Sequence, residues 1–272
     1  MKLFFSLLLV SLSVFAQPSV LHYDINKDKY LHSNNINQTR PIASITKLMT
    51  AMVVLDSNPN LNEKLTLSKK VKSSLPRQQF SRIDLLNAML VKSDNGAAET
   101  LAENYPGGRK VFIEEMNRHA FAYGMISSHF DDPTGLSSSN QSTAIDVATM
   151  VNKAGSYKLI RAISVQKQII IDAKFKKKIR KIVLPNTNTH ILVEFDSVVV
   201  SKTGFTNPAG FCVALMVEEK GSRTVIVVLG ANNKYDRIKK VEHVIYNDVV
   251  DSDIKEIDTK PFEPFTLEMP IM

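Results

Sequence analysis

The spacing of apolar residues changes several times along the chain, and each change predicts a different kind of element. Leu3 to Phe15 is an almost unbroken apolar run, preceded by Lys2 and followed by Ala16. That layout predicts a signal peptide cleaved after Ala16, and the run is well short of the roughly 20 residues that span a bilayer. Ser19–Asp24 and Tyr30–Ser33 predict a strand pair joined by a turn at Asn26-Lys27-Asp28. From Ser44 the period becomes helical: Ile45, Leu48, Met49 and Met52 recur at the three- and four-residue spacing of an amphipathic helix reaching Leu55. Ser81-Arg82-Ile83-Asp84 has the form of a capping box opening a helix over 83–91. A break at Lys92–Asn95 is followed by a further helix over 96–103. Arg109–Tyr123 predicts another, closed by Gly124, and Ser142 or Thr143 caps one ending near Gly155.

Beyond residue 165 the period shortens again. Strands are expected at Gln168–Asp172, Lys178–Leu184, His190–Lys202, Phe211–Glu218 and Arg223–Gly230. A closing helix over Tyr235–Val249 would turn Ile238, Val241, Val244 and Ile245 inward. Strands at both ends with helices between predict an α+β fold in which the two chain ends share one antiparallel sheet. The expected organisation is a leader (1–16), one domain (17–250) and an irregular tail (251–272). Pro261, Pro264 and Pro270 forbid a continuous anchor helix in that tail.

Composition narrows the setting. The chain has 272 residues and 44% hydrophobic content, enough for a sizeable core. The formal charge of +7 is a mild excess that suits anionic partners without pointing to nucleic acid. A single cysteine, Cys212, excludes an internal disulfide and a CxxC redox pair. It is expected to be a packed core thiol. The six histidines show no HExxH and no close ligand pair, so neither metal nor cofactor is expected; His129 is expected to shape the loop before Asp132. Lys174–Lys181 holds six basic residues in eight, the pattern of a solvated strand edge that resists pairing. A role in holding anionic wall polymers is the alternative.

Three short motifs carry chemistry, and each is weak alone. Ser-x-x-Lys occurs at Ser44–Lys47, Ser164–Lys167 and Ser252–Lys255; Ser-x-Asn occurs at Ser33–Asn35, Ser93–Asn95 and Ser138–Asn140; Lys-Thr-Gly occurs once, at Lys202–Gly204. Setting separates them. The first Ser-x-x-Lys opens a strongly periodic helix, Ser93-Asp94-Asn95 sits at a break between helices, and Lys202 ends the β-branched run Val198–Val200. On a helix, Ser44 and Lys47 share a face and can hydrogen-bond. A serine hydroxyl needs a base to become a nucleophile, and a lysine serves only if its pKa falls far below about 10.4. Burial and a second cation such as Lys202 would both lower it. Ser44 near a helix start also places its N–H where an oxyanion could be stabilised.

The ordered set Ser44-x-x-Lys47, Ser93-Asp94-Asn95 and Lys202-Thr203-Gly204 resembles that of the penicillin-binding proteins and serine β-lactamases. Residues 40–52 and Asp132-Pro133-Thr134-Gly135-Leu136 resemble the low-molecular-mass D-alanyl-D-alanine peptidases, serine peptidase family S11. Lys202 to Gly210 is similar to the D,D-endopeptidase branch of the penicillin-binding protein 7 type. The resemblance spans about residues 18–250. It implies a β-lactamase/transpeptidase-like fold with the helical region between and around the sheet.

It also implies roles. Ser44 would be the nucleophile and Lys47 its base. Ser93 would relay a proton to the leaving amine, and Asn95 would hold Lys47 and the substrate amide. Lys202 and Thr203 would bind the substrate carboxylate, Gly204 would let substrate backbone approach, and the N–H groups of Ser44 and Phe205 would form the oxyanion hole. The implied substrate is a peptidoglycan stem peptide, cut at D-alanyl–diaminopimelate cross-links, with β-lactams acylating Ser44. D,D-carboxypeptidase action is one alternative. A non-catalytic penicillin-binding module is another, against which the intact Ser44, Lys47 and Lys202 argue. Two departures from relatives stand out. The chain has no room for the β-rich C-terminal domain and anchor of the carboxypeptidases, which favours the endopeptidase type with at most loose membrane association. No Glu is followed four residues later by Asn, so efficient β-lactam hydrolysis is not expected.

Overall fold

The computed structural model describes residues 17–175, 178–219 and 221–246. The leader, the proline-bearing tail and the third Ser-x-x-Lys lie outside the described residues. The chain begins with β1 (Ser19–Asp24) and β2 (Lys29–Asn34), then a short β3 (Arg40–Pro41). A 3-10 turn over Ala43–Thr46 runs directly into α1 (Lys47–Asp56). After β4 (Lys64–Thr66) and β5 (Gln79–Ser81) come α2 (Arg82–Val91), α3 (Asn95–Glu103) and α4 (Gly108–Ala122). The capping box forms as expected: Ser81 Oγ accepts from the Asp84 amide and the Asp84 carboxylate accepts from the Ser81 amide. Gly124 follows α4 in the left-handed region, φ +75°. Next are β6 (Gln141–Ser142), α5 (Ala144–Ala154), capped by Thr143, and α6 (Lys158–Ser164). The hairpin β7 (Gln168–Phe175) and β8 (Lys178–Pro185) leads to α7 (Thr189–Glu194). β9 (Val198–Thr206), β10 (Gly210–Glu219), β11 (Ser222–Ala231) and α8 (Lys234–Tyr246) complete the described chain.

The two chain ends do share one sheet, five antiparallel strands in the order β2-β1-β11-β10-β9. Its two faces bury different partners. Ala214, Met216, Val225, Val227 and Leu229 point into the main core beside α1 and α5. Val213, Leu215, Ile226 and Val228 face Ile191 and Leu192 of α7 and Ile238, Val241 and Val244 of α8. Burial on both faces explains why β10 and β11 read as continuous apolar runs rather than alternating ones. Ile245 is partly buried against the same cluster, and 247–249 lie outside the described residues.

Two expectations need correction, and one helix was not expected. α1 is not amphipathic: Lys47 to Val54 are all buried, because α2, α3, α4 and α5 surround it. The run His190–Lys202 is not one strand, since 189–194 form α7, which buries Ile191 and Leu192 against the sheet. The unexpected helix is α6, whose seven residues, with Ile160 and Ile163 as its buried apolar pair, carry too little periodic signal to be read from the sequence.

Candidate active site

The nucleophile turn is held in a strained shape. Ala43 sits at φ +46° and Ser93 at φ +61°, in the left-handed region that costs a non-glycine residue about 1–2 kcal/mol. Both lie at the motifs. The 3-10 turn presents Ser44 half-buried at its exposed edge, and Lys47 follows one turn later as the first residue of α1. Lys47 is 0% exposed. Its Nζ lies 2.8 Å from Ser44 Oγ, 2.7 Å from Asn95 Oδ1 and 2.6 Å from the Thr134 carbonyl oxygen.

Burial pushes the Lys47 amine down to about 7, against the opposing pull of Asp132 and Asp94. As a neutral amine it has two N–H bonds and one lone pair. The two carbonyl-type oxygens, Asn95 Oδ1 and Thr134 O, take the N–H bonds, and the lone pair faces the Ser44 hydroxyl. That is the arrangement a general base requires. The expected contribution of Lys202 to lowering Lys47 is not the main cause; desolvation is. Lys202, 1% exposed, is itself driven well below the ordinary lysine range by burial, then by Lys47 and Arg237.

The second lysine organises the other wall. Lys202 Nζ donates to Ser93 Oγ at 2.9 Å and to the Thr203 carbonyl at 2.8 Å. Thr203 Oγ1 donates to Thr187 Oγ1 at 2.7 Å. Ser93 owes its place to Asp94, which caps α3 through the Ala97 amide (2.8 Å) and accepts from Ser73 Oγ (2.8 Å). Gly204 is pressed against the nucleophile turn. A Cβ there would lie 2.9 Å from the Ile42 carbonyl oxygen and 3.0 Å from the Ser44 nitrogen. The missing side chain therefore makes room for this turn. The consequence is that β9 backbone and the Ser44 N–H stand side by side.

Asp132–Leu136, which resembles the D-alanyl-D-alanine peptidases, opens a loop over 132–140. In the fold it supplies the Thr134 carbonyl that holds Lys47. Asp132 gathers the loop by accepting from the Thr134 hydroxyl (2.7 Å) and the amides of Gly135 (2.7 Å) and Ser137 (2.6 Å). Asn140 ties it to the nucleophile turn, donating to Thr46 Oγ1 at 3.1 Å and to the Asp132 carbonyl at 2.8 Å. Gly135, at φ +79°, admits no side chain, since a Cβ would sit 1.9 Å from the Ala43 carbonyl oxygen. Thus Asn140 is a buried brace beneath the site while Ser138 and Ser139 are exposed, so Ser138–Asn140 is not a second Ser-x-Asn wall. Ser164 lies under β9, where its Oγ accepts from the Ser201 amide at 3.3 Å.

A cleft of about 320 Å³ opens over these groups, lined by Ser44, Ser93, Thr187, Thr203, Gly204, Phe205, Phe211, Lys234 and Arg237. Of the eight residues anticipated from sequence, five line the cleft, Lys47 and Lys202 hydrogen-bond to its two serines, and Asn95 holds Lys47 from behind. Four were missed: Thr187, Phe211, Lys234 and Arg237. Arg237 carried a readable signal, a charged residue on the inward stripe of α8 shared with Val241 and Val244. It is 5% exposed, and its guanidinium makes no hydrogen bond or ion pair among the described residues. Cys212 is a core thiol as expected, fully buried and pushed up to about 11 by that burial. His129 pairs through its backbone with Gln141, bracing the start of the 132–140 loop.

Comparison with known proteins decides the family. Residues 11–233 match the profile of the S11 peptidases, described as D-alanyl-D-alanine carboxypeptidase. The chain belongs to this family. Within it, the sequence is 38% identical over 228 residues to a D-alanyl-D-alanine endopeptidase of Escherichia coli strain K12, covering 81% of this chain and 73% of that protein. It is 39% identical, with the same coverage, to one of Pseudomonas aeruginosa. Among solved structures, penicillin-binding protein D2 from Listeria monocytogenes in its cefotaxime-bound form matches with a TM-score of 0.75 and 29% identity, covering 85% of this chain and 96% of that one. The Streptomyces K15 DD-transpeptidase matches at 0.78 and 25%, covering 84% and 95%. The S11 chain described here thus has the fold of penicillin-binding D,D-peptidases, as its motif order implied.

Proposed function

We propose that this protein is a serine D,D-peptidase that cuts peptidoglycan stem peptides through an acyl-enzyme, with D-alanyl–diaminopimelate cross-links as its main substrate. One observation carries the reading: a fully buried lysine amine held 2.8 Å from a half-buried serine hydroxyl by two fixed carbonyl oxygens. Lys47 takes the proton as Ser44 Oγ bonds to the D-alanyl carbonyl carbon. The developing oxyanion is received by the N–H groups of Ser44 and Phe205, which Gly204 brings together. Ser93, held by Lys202, relays a proton to the departing amine as the C–N bond breaks. The substrate carboxylate lies against Thr203, Lys202 and the unpartnered Arg237. Water then opens the ester, returning Ser44.

β-Lactams enter by the same attack, but their ring opening leaves no amine to depart, so the acyl-enzyme persists. The relatives named as endopeptidases support cross-link cleavage over terminal trimming. The protein acts outside the cytoplasm, delivered by the leader 1–16; no helix among the described residues is long and apolar enough to cross a membrane. Fluorescent penicillin should label the wild-type chain covalently and leave Ser44→Ala unlabelled; labelling of that variant would remove Ser44 as nucleophile. Digestion of purified cross-linked muropeptides should consume dimers without releasing free D-alanine. Free D-alanine from pentapeptide monomers, with dimers intact, would make it a carboxypeptidase instead.

A further inference from the structure

The active-site cleft has two chemically different halves. Gly204 lies beside the Ser44 nitrogen, and in the D,D-peptidase reading the attacked carbonyl sits against this pair. To one side stand Ser93, Lys202, Thr203 and Thr187, hydroxyls and an amine suited to a leaving amine and its carboxylate. To the other side, one residue further along β9, the character changes. Phe205 pairs in register with Phe211 of β10, their rings tilted by 36° with centroids 4.3 Å apart. Phe205 is 52% exposed, a large apolar ring left open at the mouth of the cleft.

Lys234 lines the same corner. Its surroundings are unusual for α8. Lys239 pairs with Glu242 at 3.0 Å and Lys240 with Asp236 at 2.9 Å, whereas Lys234 is exposed and forms no hydrogen bond or ion pair among the described residues. It is also the first residue of the helix, the end at which a cation is disfavoured by the helix dipole. The position is therefore not accounted for by helix stability. β9 is the edge strand of the sheet, so an extended peptide can lie along it, with alternate side chains directed over this corner.

We propose that Phe205, Phe211 and Lys234 form a subsite for the side chain of the residue that precedes the attacked D-alanine, selecting a methylene arm that ends in a carboxylate. The inference rests on the D,D-peptidase reading and deepens it. The aromatic pair packs the methylenes, and the lysine meets the terminal carboxylate. A diaminopimelyl residue meets both conditions. A lysyl residue has the methylenes but ends in an ammonium alone, and an amidated diaminopimelyl residue keeps its ammonium while losing the carboxylate that Lys234 would meet.

The test uses the full chain and three pentapeptides ending in X–D-Ala–D-Ala, where X is diaminopimelyl, its amide on the side-chain carboxyl, or lysyl. Each is scored by the concentration that half-protects Ser44 from fluorescent penicillin, and the peptides are compared as ratios on the same protein. On wild type the diaminopimelyl peptide should protect at about fivefold lower concentration than the other two, the upper range for a solvent-exposed ion pair. Lys234→Ala should bring the three together, and Lys234→Glu should favour the lysyl peptide. Phe211→Ala should weaken all three, because the methylenes are common to them. Equal protection on wild type, protection by none of them, or a diaminopimelyl preference that survives both Lys234 variants would overturn the subsite. Failure of wild type to be labelled at all would instead overturn the D,D-peptidase reading beneath it.

Discussion

The lysines of this chain fall into two regions that show how little residue type alone decides. Lys47 and Lys202 are 0% and 1% exposed, each surrounded by fixed oxygen acceptors in the cleft wall. Lys178 and Lys181 stand exposed on β8, in a hairpin whose other face buries Ile169, Ile171 and Leu184. On the hairpin, Lys181 lies opposite Asp172 across the strands, where an exposed pairing is worth little. In the cleft, the same amine loses its hydration, and desolvation drives its pKa down to about 7 for Lys47. Burial that would be a fault elsewhere turns a surface cation into a base. The strained φ angles of Ala43 and Ser93 belong to the same region, so backbone strain and charge burial coincide at the place where chemistry is done.

Substitution separates the two regions most sharply. Lys47→Arg cannot become neutral, and its acylation by penicillin should fall by about 10²–10⁴, the usual contribution of a general base. An acylation rate within tenfold of wild type would mean that some other group accepts the Ser44 proton.

A pH series gives the next largest effect. Only the neutral amine can act, so acylation should rise about tenfold per pH unit up to about 7 and level off above it. The same shift acts on stability with a definite sign. The folded pKa lies below the unfolded one, so the buried cation penalises the fold fully below about 7, and the penalty fades as pH climbs toward the unfolded value near 10.5. Urea unfolding of Lys47→Met should show the variant gaining most over wild type at or below pH 7, with the gap narrowing by pH 9. A gap independent of pH would mean Lys47 is not titrating in that range.

Gly135→Ala probes the packing that holds the site. With φ +79° and a carbonyl oxygen 1.9 Å from where the Cβ would be, the variant should lose about 2 kcal/mol or more of stability by denaturant unfolding. A loss under about 0.5 kcal/mol would show that the loop can shift away from Ala43. Smallest of all is the hairpin. Lys178→Ala with Lys181→Ala should leave acylation within twofold and stability within about 0.5 kcal/mol, as expected for solvated surface charges.

Much of the fold could be read from residue order. The first strand pair, the capping box at Ser81, the Gly124 stop and the pairing of the two chain ends all follow from local signals that the tertiary structure does not contradict. Local signals failed where packing outweighed them. The period of α1 looked amphipathic because Lys47 and Thr50 are polar, yet both are buried: Lys47 serves the site and Thr50 Oγ1 donates to the Pro133 carbonyl at 2.7 Å. α7 was hidden in a run of apolar and β-branched residues that suits either a helical turn or a strand. In the site, Ser44, Lys47, Ser93, Asn95 and Lys202 were legible because spacing and order are local properties. Thr134 was not, since it acts through a backbone carbonyl, which leaves no trace in side-chain identity. Thr187 and Arg237 reach the cleft only because a strand end and a helix are folded beside it.

Residue order by itself determined which groups are present, the one-turn spacing of Ser44 and Lys47, and the α+β plan with its shared sheet. It could not determine that the amine would be dry. Desolvation depends on every helix packed around α1 and on a loop 87 residues away that brings the Thr134 carbonyl to Lys47 Nζ. Reactivity here is a property of the surrounding dielectric and of converging acceptors, and only the assembled tertiary structure supplies those.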